Sequence, residues 1–85
     1  MNTREELKKV YSSIIGALRL ADKKYNNKTD DYTWTEIYEN FTLNFIKDAG
    51  CRADVFISYN TEEDRATYLD NFMCLDDFEK YCKIL

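Results

Sequence analysis

The chain contains no histidine, no proline and only two glycines in its 85 residues. Each shortage excludes a chemistry. Without histidine the usual general base is missing, together with the Ser/His and Cys/His nucleophile pairs and the commonest metal ligand. With Gly16 and Gly50 alone, neither a phosphate-binding P-loop nor a dinucleotide fingerprint can be assembled. The three cysteines, Cys51, Cys74 and Cys82, are odd in number and never fall in a CxxC spacing. That usage, with a polar start and no apolar run of membrane length, implies free thiols and a bacterial or infected-host cytoplasm rather than a membrane.

The remaining routes to catalysis are narrow. Cys51 beside Arg52 is the one thiol with an activating neighbour. The doublets Asp30-Asp31 and Asp76-Asp77 do not make catalytic pairs, because adjacent side chains point to different sides of a helix. The polar loop from Asp22 lacks the central glycine and closing glutamate of a calcium loop. The expectation is therefore a protein that is not an enzyme, with no catalytic residue, no metal and no cofactor.

What the chain does have is a divided charge. Residues 1–28 hold seven basic residues against three acidic ones, a net of +4, whereas residues 29–85 carry a net of −8. Asp54, Glu62, Glu63, Asp64, Asp70, Asp76, Asp77 and Glu79 share the stretch 53–79 with one cation, Arg65. Such a block attracts cationic surfaces and repels nucleic acid. Its plainer explanation is a solvated surface with carboxylates favoured at helix starts. The composition is 45% hydrophobic and 15% aromatic, with seven tyrosines. This is too apolar for a disordered acidic chain and suits one small domain, 1–85, with a thin core. Residues with AT-rich codons are heavily used, which points to a phage, a plasmid or a low-GC bacterium.

Local signals suggest a mostly α fold of about four helices. Four sites pair a short polar residue with a carboxylate three positions on: Thr3–Glu6, Thr33–Glu36, Thr61–Asp64 and Asp76–Glu79. Leu7, Tyr11, Ile14, Leu18, Ala21 and Tyr25 form the seam of a long first helix. Gly16 sits away from that seam, either as a tolerated surface residue or as a close-approach point for another backbone. Trp34, Ile37, Tyr38, Phe41, Phe45 and Ala49 suggest a second helix stopped by Gly50. A rival reading takes the alternation of Phe41, Leu43, Phe45 and of Val55, Ile57, Tyr59 as a β-hairpin over 41–59, giving an α+β fold. In the helical reading, 53–59 is a short strand-like segment without a partner. From Thr61 on, Leu69, Phe72 and Met73 lie out of helical phase with Leu75, Phe78, Cys82 and Leu85, so the expectation is two helices broken near Cys74–Asp76.

The function that fits is a small acidic inhibitor of phage or plasmid type. It would work by electrostatic mimicry, occluding the basic protein surface of a nucleic-acid-processing or host-defence enzyme. Its partner-binding candidates are the eight carboxylates above, with Tyr59 and Tyr68 as anchors. Two readings compete. Lys8, Lys9, Arg19, Lys23, Lys24 and Lys28 form a basic face that a nucleic-acid-binding regulator would use. The Leu7–Tyr25 seam could instead pair two copies in a structural homodimer.

Overall fold

Strand alternation, not helical spacing, governs residues 32–59. In a computed structural model that describes residues 2–25, 31–48 and 53–84, the order is α1 (Thr3–Tyr25), β1 (Tyr32–Ile37), β2 (Phe41–Lys47), β3 (Asp54–Tyr59), α2 (Glu62–Tyr68), β4 (Asn71–Cys74) and α3 (Leu75–Ile84). The four strands form one antiparallel sheet in the order β1-β2-β3-β4. The fold is α+β, which overturns the mostly helical expectation of about four helices.

The corrections have local causes. The proposed second helix is instead β1, a turn at Tyr38–Asn40, and β2; Tyr38 N–H donates to the Phe41 carbonyl at 2.9 Å to close that turn. Phe41 pairs with Tyr59, Leu43 with Ile57 and Phe45 with Val55. The segment 53–59 is thus not an isolated strand but an interior one, bonded to β2 and β4. The tail breaks earlier than expected. α2 ends at Tyr68, the chain extends through β4, and α3 starts at Leu75. Leu69 and Phe72 consequently share no buried helical face and are exposed, while Met73 faces the core. Gly50 and Ala49 lie outside the described residues, as do Cys51, Arg52, Lys28, Asp30 and Leu85.

The core is one layer deep. Phe41, Leu43 and Phe45 of β2, Val55, Ile57 and Tyr59 of β3, and Met73 of β4 point to one face of the sheet. Leu7, Val10, Ile14 and Leu18 of α1, with Leu75, Phe78 and Cys82 of α3, cover that face. The seam of α1 is therefore largely covered within its own chain, with Leu7, Ile14 and Leu18 buried and Tyr11, Ala21 and Tyr25 half-buried, which leaves little apolar surface there for a second copy. No helix of the described residues is long and apolar enough to cross a membrane.

Polar contacts set where α1 lies. Asn2, not Thr3, caps the helix: its Oδ1 accepts from Glu5 N–H at 2.9 Å and its carbonyl from Glu6 N–H at 3.0 Å. That frees Thr3 to donate its hydroxyl to Asp64, and Glu6 to accept from the Asn40 backbone and side-chain amides. At the other end Tyr25 stacks on Tyr32 with ring centroids 4.0 Å apart. A Cβ built at Gly16 meets nothing within 4 Å, so the close-approach reading of that glycine fails. Gly16→Ala should raise stability by about 1 kcal/mol through helix propensity alone, measured as the shift of the urea midpoint at unchanged slope. A loss of stability would mean that this surface is occupied.

Candidate functional site

The expected acidic surface divides into carboxylates that the fold consumes and carboxylates that it leaves free. Asp76 and Glu79 of α3 are consumed by Arg19 of α1. Asp76 accepts from the guanidinium at 2.9 Å and Glu79 takes its other arm. Hydrogen bonding to Glu79, then to Asp76, raises the Arg19 pKa, and the guanidinium holds the Glu79 carboxyl below its ordinary value. Glu79 also pairs with Lys83 at 3.4 Å and accepts from the Tyr11 hydroxyl at 3.4 Å. Asp64 accepts from the hydroxyls of both Thr3 and Thr61. Asp70 accepts from Tyr59 N–H at 3.1 Å and lies 3.8 Å from the Arg65 guanidinium.

The two proposed aromatic anchors are structural. Tyr59 is 1% exposed, and its hydroxyl lies 2.6 Å from that of Tyr81. Burial first, and then that hydrogen bond, push its pKa up. Tyr68 is half-buried and stacks on Tyr59 with centroids 5.5 Å apart. Tyr59 presents no ring to a partner, and Tyr68 has one contact face taken by Tyr59. Cys82 is buried and its thiol is pushed up to about 12 by desolvation, so it is a packing residue and not a nucleophile.

Four carboxylates of the candidate set have neither an ion pair nor a side-chain hydrogen bond among the described residues: Asp54, Glu62, Glu63 and Asp77. They do not form one patch. Asp54 opens β3, and Glu62 follows its far end, so about 17 Å of strand separates them. Asp77 belongs with Asp54, because Asp54 pairs with Cys74 and α3 continues directly from that strand. Glu62 and Glu63 stand together on the first turn of α2.

α2 is an unusual element. It buries no residue completely and meets the core only through the half-buried Tyr68. Thr61 caps it, accepting from Asp64 N–H at 3.1 Å. At its other end Leu69 adopts φ 61 and ψ 147 while its N–H bonds the Arg65 carbonyl at 3.0 Å. A side-chain-bearing residue there costs roughly 1–3 kcal/mol. The side chain gains no burial in return, since Leu69 is 67% exposed. Glu62, Arg65, Ala66 and Leu69 line a shallow depression of about 350 Å³. The sequence supplied Glu62 and Glu63 as candidates; Leu69 carried no signal, because a leucine gives no warning of positive φ.

The basic face is less concerted than the sequence implied. Lys8, Lys9, Lys23 and Lys24 are exposed on α1, but Lys8 and Lys24 stand about 24 Å apart along the axis. Arg19 is held by α3. The nearby ring pair Tyr25–Tyr32 is closed on itself and abuts Phe45 edge-on, so it offers no open stacking platform. Among the described residues no cluster of three or more His, Cys, Asp or Glu could hold a metal. No family model, no curated protein and no solved structure matches the chain.

The Arg19 bridge has a pH signature. Glu79 titrates below its usual 4.5 in the folded chain, so its contribution is complete above that pH and vanishes as the pH falls through the lower folded value. Arg19→Ala should therefore destabilise at neutral pH and approach the wild type in acid, once the pH lies below the folded-state value of the Glu79 carboxyl. Urea unfolding at neutral pH and in acid checks this; a deficit of equal size in both would take the ion pair out of the account.

Proposed function

We propose that this chain is a non-catalytic binding protein that docks onto a cationic protein surface through α2. The observation that carries the proposal is the combination of Leu69, strained yet solvent-facing, with Glu62 and Glu63, charged yet unpaired, on a helix that meets the core only through Tyr68. Natural chains retain backbone strain where it serves a site, and here the inference runs from the observed outlier to a role.

The division of labour is physical. Glu62 and Glu63 steer a positive surface toward α2 and orient it, which acts chiefly on the association rate. Leu69 supplies an apolar contact that excludes water and lengthens residence. The bridge from Arg19 to Asp76 and Glu79 removes a cation and two anions from competition, so the field near α2 is dominated by the leading carboxylates. A nucleic-acid-processing enzyme must carry a cationic surface to hold phosphates, and an acidic body seated on it would block substrate entry. Size, net charge of −4 and the absence of histidine favour such occlusion over catalysis.

The test begins with the chain as bait in lysate of its native host. A retained protein is then purified, and its affinity titrated across a salt series. Binding should weaken with salt, and Glu62→Gln with Glu63→Gln should cost roughly tenfold in affinity, about 1.4 kcal/mol, while flattening the salt slope. Affinity and slope unchanged by the double substitution would refute docking through α2.

Leu69→Gly separates stability from binding. Glycine adopts positive φ without steric cost, so relief of strain should raise stability by roughly 1 kcal/mol. The same variant should bind the partner more weakly, because the apolar contact is gone. A variant that is both more stable and equally tight would make Leu69 incidental.

A further inference from the structure

β4 ends the sheet with an open edge that carries none of the usual protection. Asn71, Phe72, Met73 and Cys74 include no charge and no proline, the devices by which natural edges avoid pairing with another chain. The opposite edge, β1, at least carries Glu36. Phe72 sits on the sheet face away from the helices, opposite Phe56 with ring centroids 6.0 Å apart, and remains 55% exposed. Beside the strand, α3 presents Asp77, Lys80 and Ile84, the last 82% exposed. With Phe72 they border a groove of about 560 Å³. Asp77 and Lys80 are of opposite sign, nearly one turn apart, and neither is ion-paired among the described residues.

A groove of mixed charge beside a bare edge is complementary to itself. We propose that two copies of this chain join through β4, antiparallel about a two-fold axis at Phe72, with α3 of one copy against α3 of the other. The pleat sets the register. Keeping the helix-free faces continuous requires residues of like orientation to oppose one another, which places Phe72 against its own copy and Asn71 against Met73. The Phe56–Phe72 pair then becomes a row of four rings crossing the junction, of the kind that stabilises antiparallel neighbours. The two-fold operation reverses the order of Asp77 and Lys80, so the carboxylate of each copy faces the ammonium of the other. A four-residue edge alone offers few ladder bonds, and the α3 contact supplies the remainder of the interface. This junction is distinct from α2, and it would make the docking protein bivalent.

Sedimentation over a concentration series up to about 1 mM, where even weak association is populated, should show reversible dimerisation. Asp77→Lys and Lys80→Asp each place like charges across the axis and should weaken it by roughly tenfold or more. Mixing the two variants restores both opposite-charge contacts, so the mixture should associate as a heterodimer with near wild-type affinity. Phe72→Arg, tested alone, should be monomeric with an unchanged circular dichroism spectrum. A wild type that stays monomeric at 1 mM overturns the proposal. So does a dimer indifferent to either charge change, which would lie on another surface, or a mixture that fails to associate. Partner binding through α2 is read separately with the Glu62 and Glu63 variants, so failure of one proposal leaves the other standing.

Discussion

A four-stranded sheet has two faces, and this chain has helices for one. That limit follows from its size: a short chain buries a modest share of its surface, and a second covering layer needs residues it does not have. Everything else arranges itself around the covered face. Strands β2 and β3 send alternate side chains into it, α1 and α3 lie across it, and the outward positions Thr42, Asn44 and Ser58 are polar enough to meet water. The exceptions, Ile37, Ile46, Phe56 and Phe72, are where the outer face departs from a purely solvated one.

With so thin a core, polar contacts carry the placement of α1. Its first turn is held by Thr3 to Asp64 and by Glu6 to Asn40, its middle by Arg19 to α3, and its end by the Tyr25–Tyr32 stack. These contacts also settle the charge distribution. The positive first third and negative remainder of the sequence do not face solvent as two opposed poles. One cation of α1 is folded against two acids of α3, and Asp70 is drawn toward Arg65. Within the acidic block of residues 53–79, the negative charge left unpaired is local, on the first turn of α2 and around Asp54 and Asp77.

The parts of the fold that the sequence showed clearly are those where one periodicity stood alone. The seam Leu7, Ile14, Leu18 has no strand interpretation, and α1 follows it. Thr61 before Glu62, Glu63 and Asp64 marks a helix start, and the cap is there. The misreading of 33–49 has a definite cause. Phe41 and Phe45 are four apart, a spacing that satisfies both a helical turn and two strand repeats. Leu43 decides between them, because in a helix it would sit across from Phe41, whereas in a strand it joins the same face. The β-branched and aromatic content of Tyr32, Thr33, Trp34 and Thr35 pointed the same way, against a chance capping box at Thr33–Glu36. At the site, the carboxylates of α2 could be read from the chain, but the pairing of Arg19 with acids 57 and 60 positions away could not. Nor could the burial of Tyr59, whose neighbours come from elements that only the sheet order brings together.

Strain and exposure at Leu69 bear on more than a docking point. The connection from β3 to β4 could have been a tight hairpin, since the strands are antiparallel neighbours. Instead the chain inserts a capped helix that buries no residue completely, closes it with a residue in an unfavourable conformation, and returns to form an edge strand only four residues long. Arg65 donates to the Tyr59 carbonyl at 3.0 Å and Asp70 accepts from the Tyr59 amide, so the insertion is tethered to the last residue of β3 from the middle of α2 and from the start of the return to β4. A helix tethered in this way, and seated on the core by Tyr68 alone, presents its outer surface in a fixed pose. Rigid presentation lowers the entropy lost on association, and it is the property that distinguishes a binding element from a solvent-filled loop.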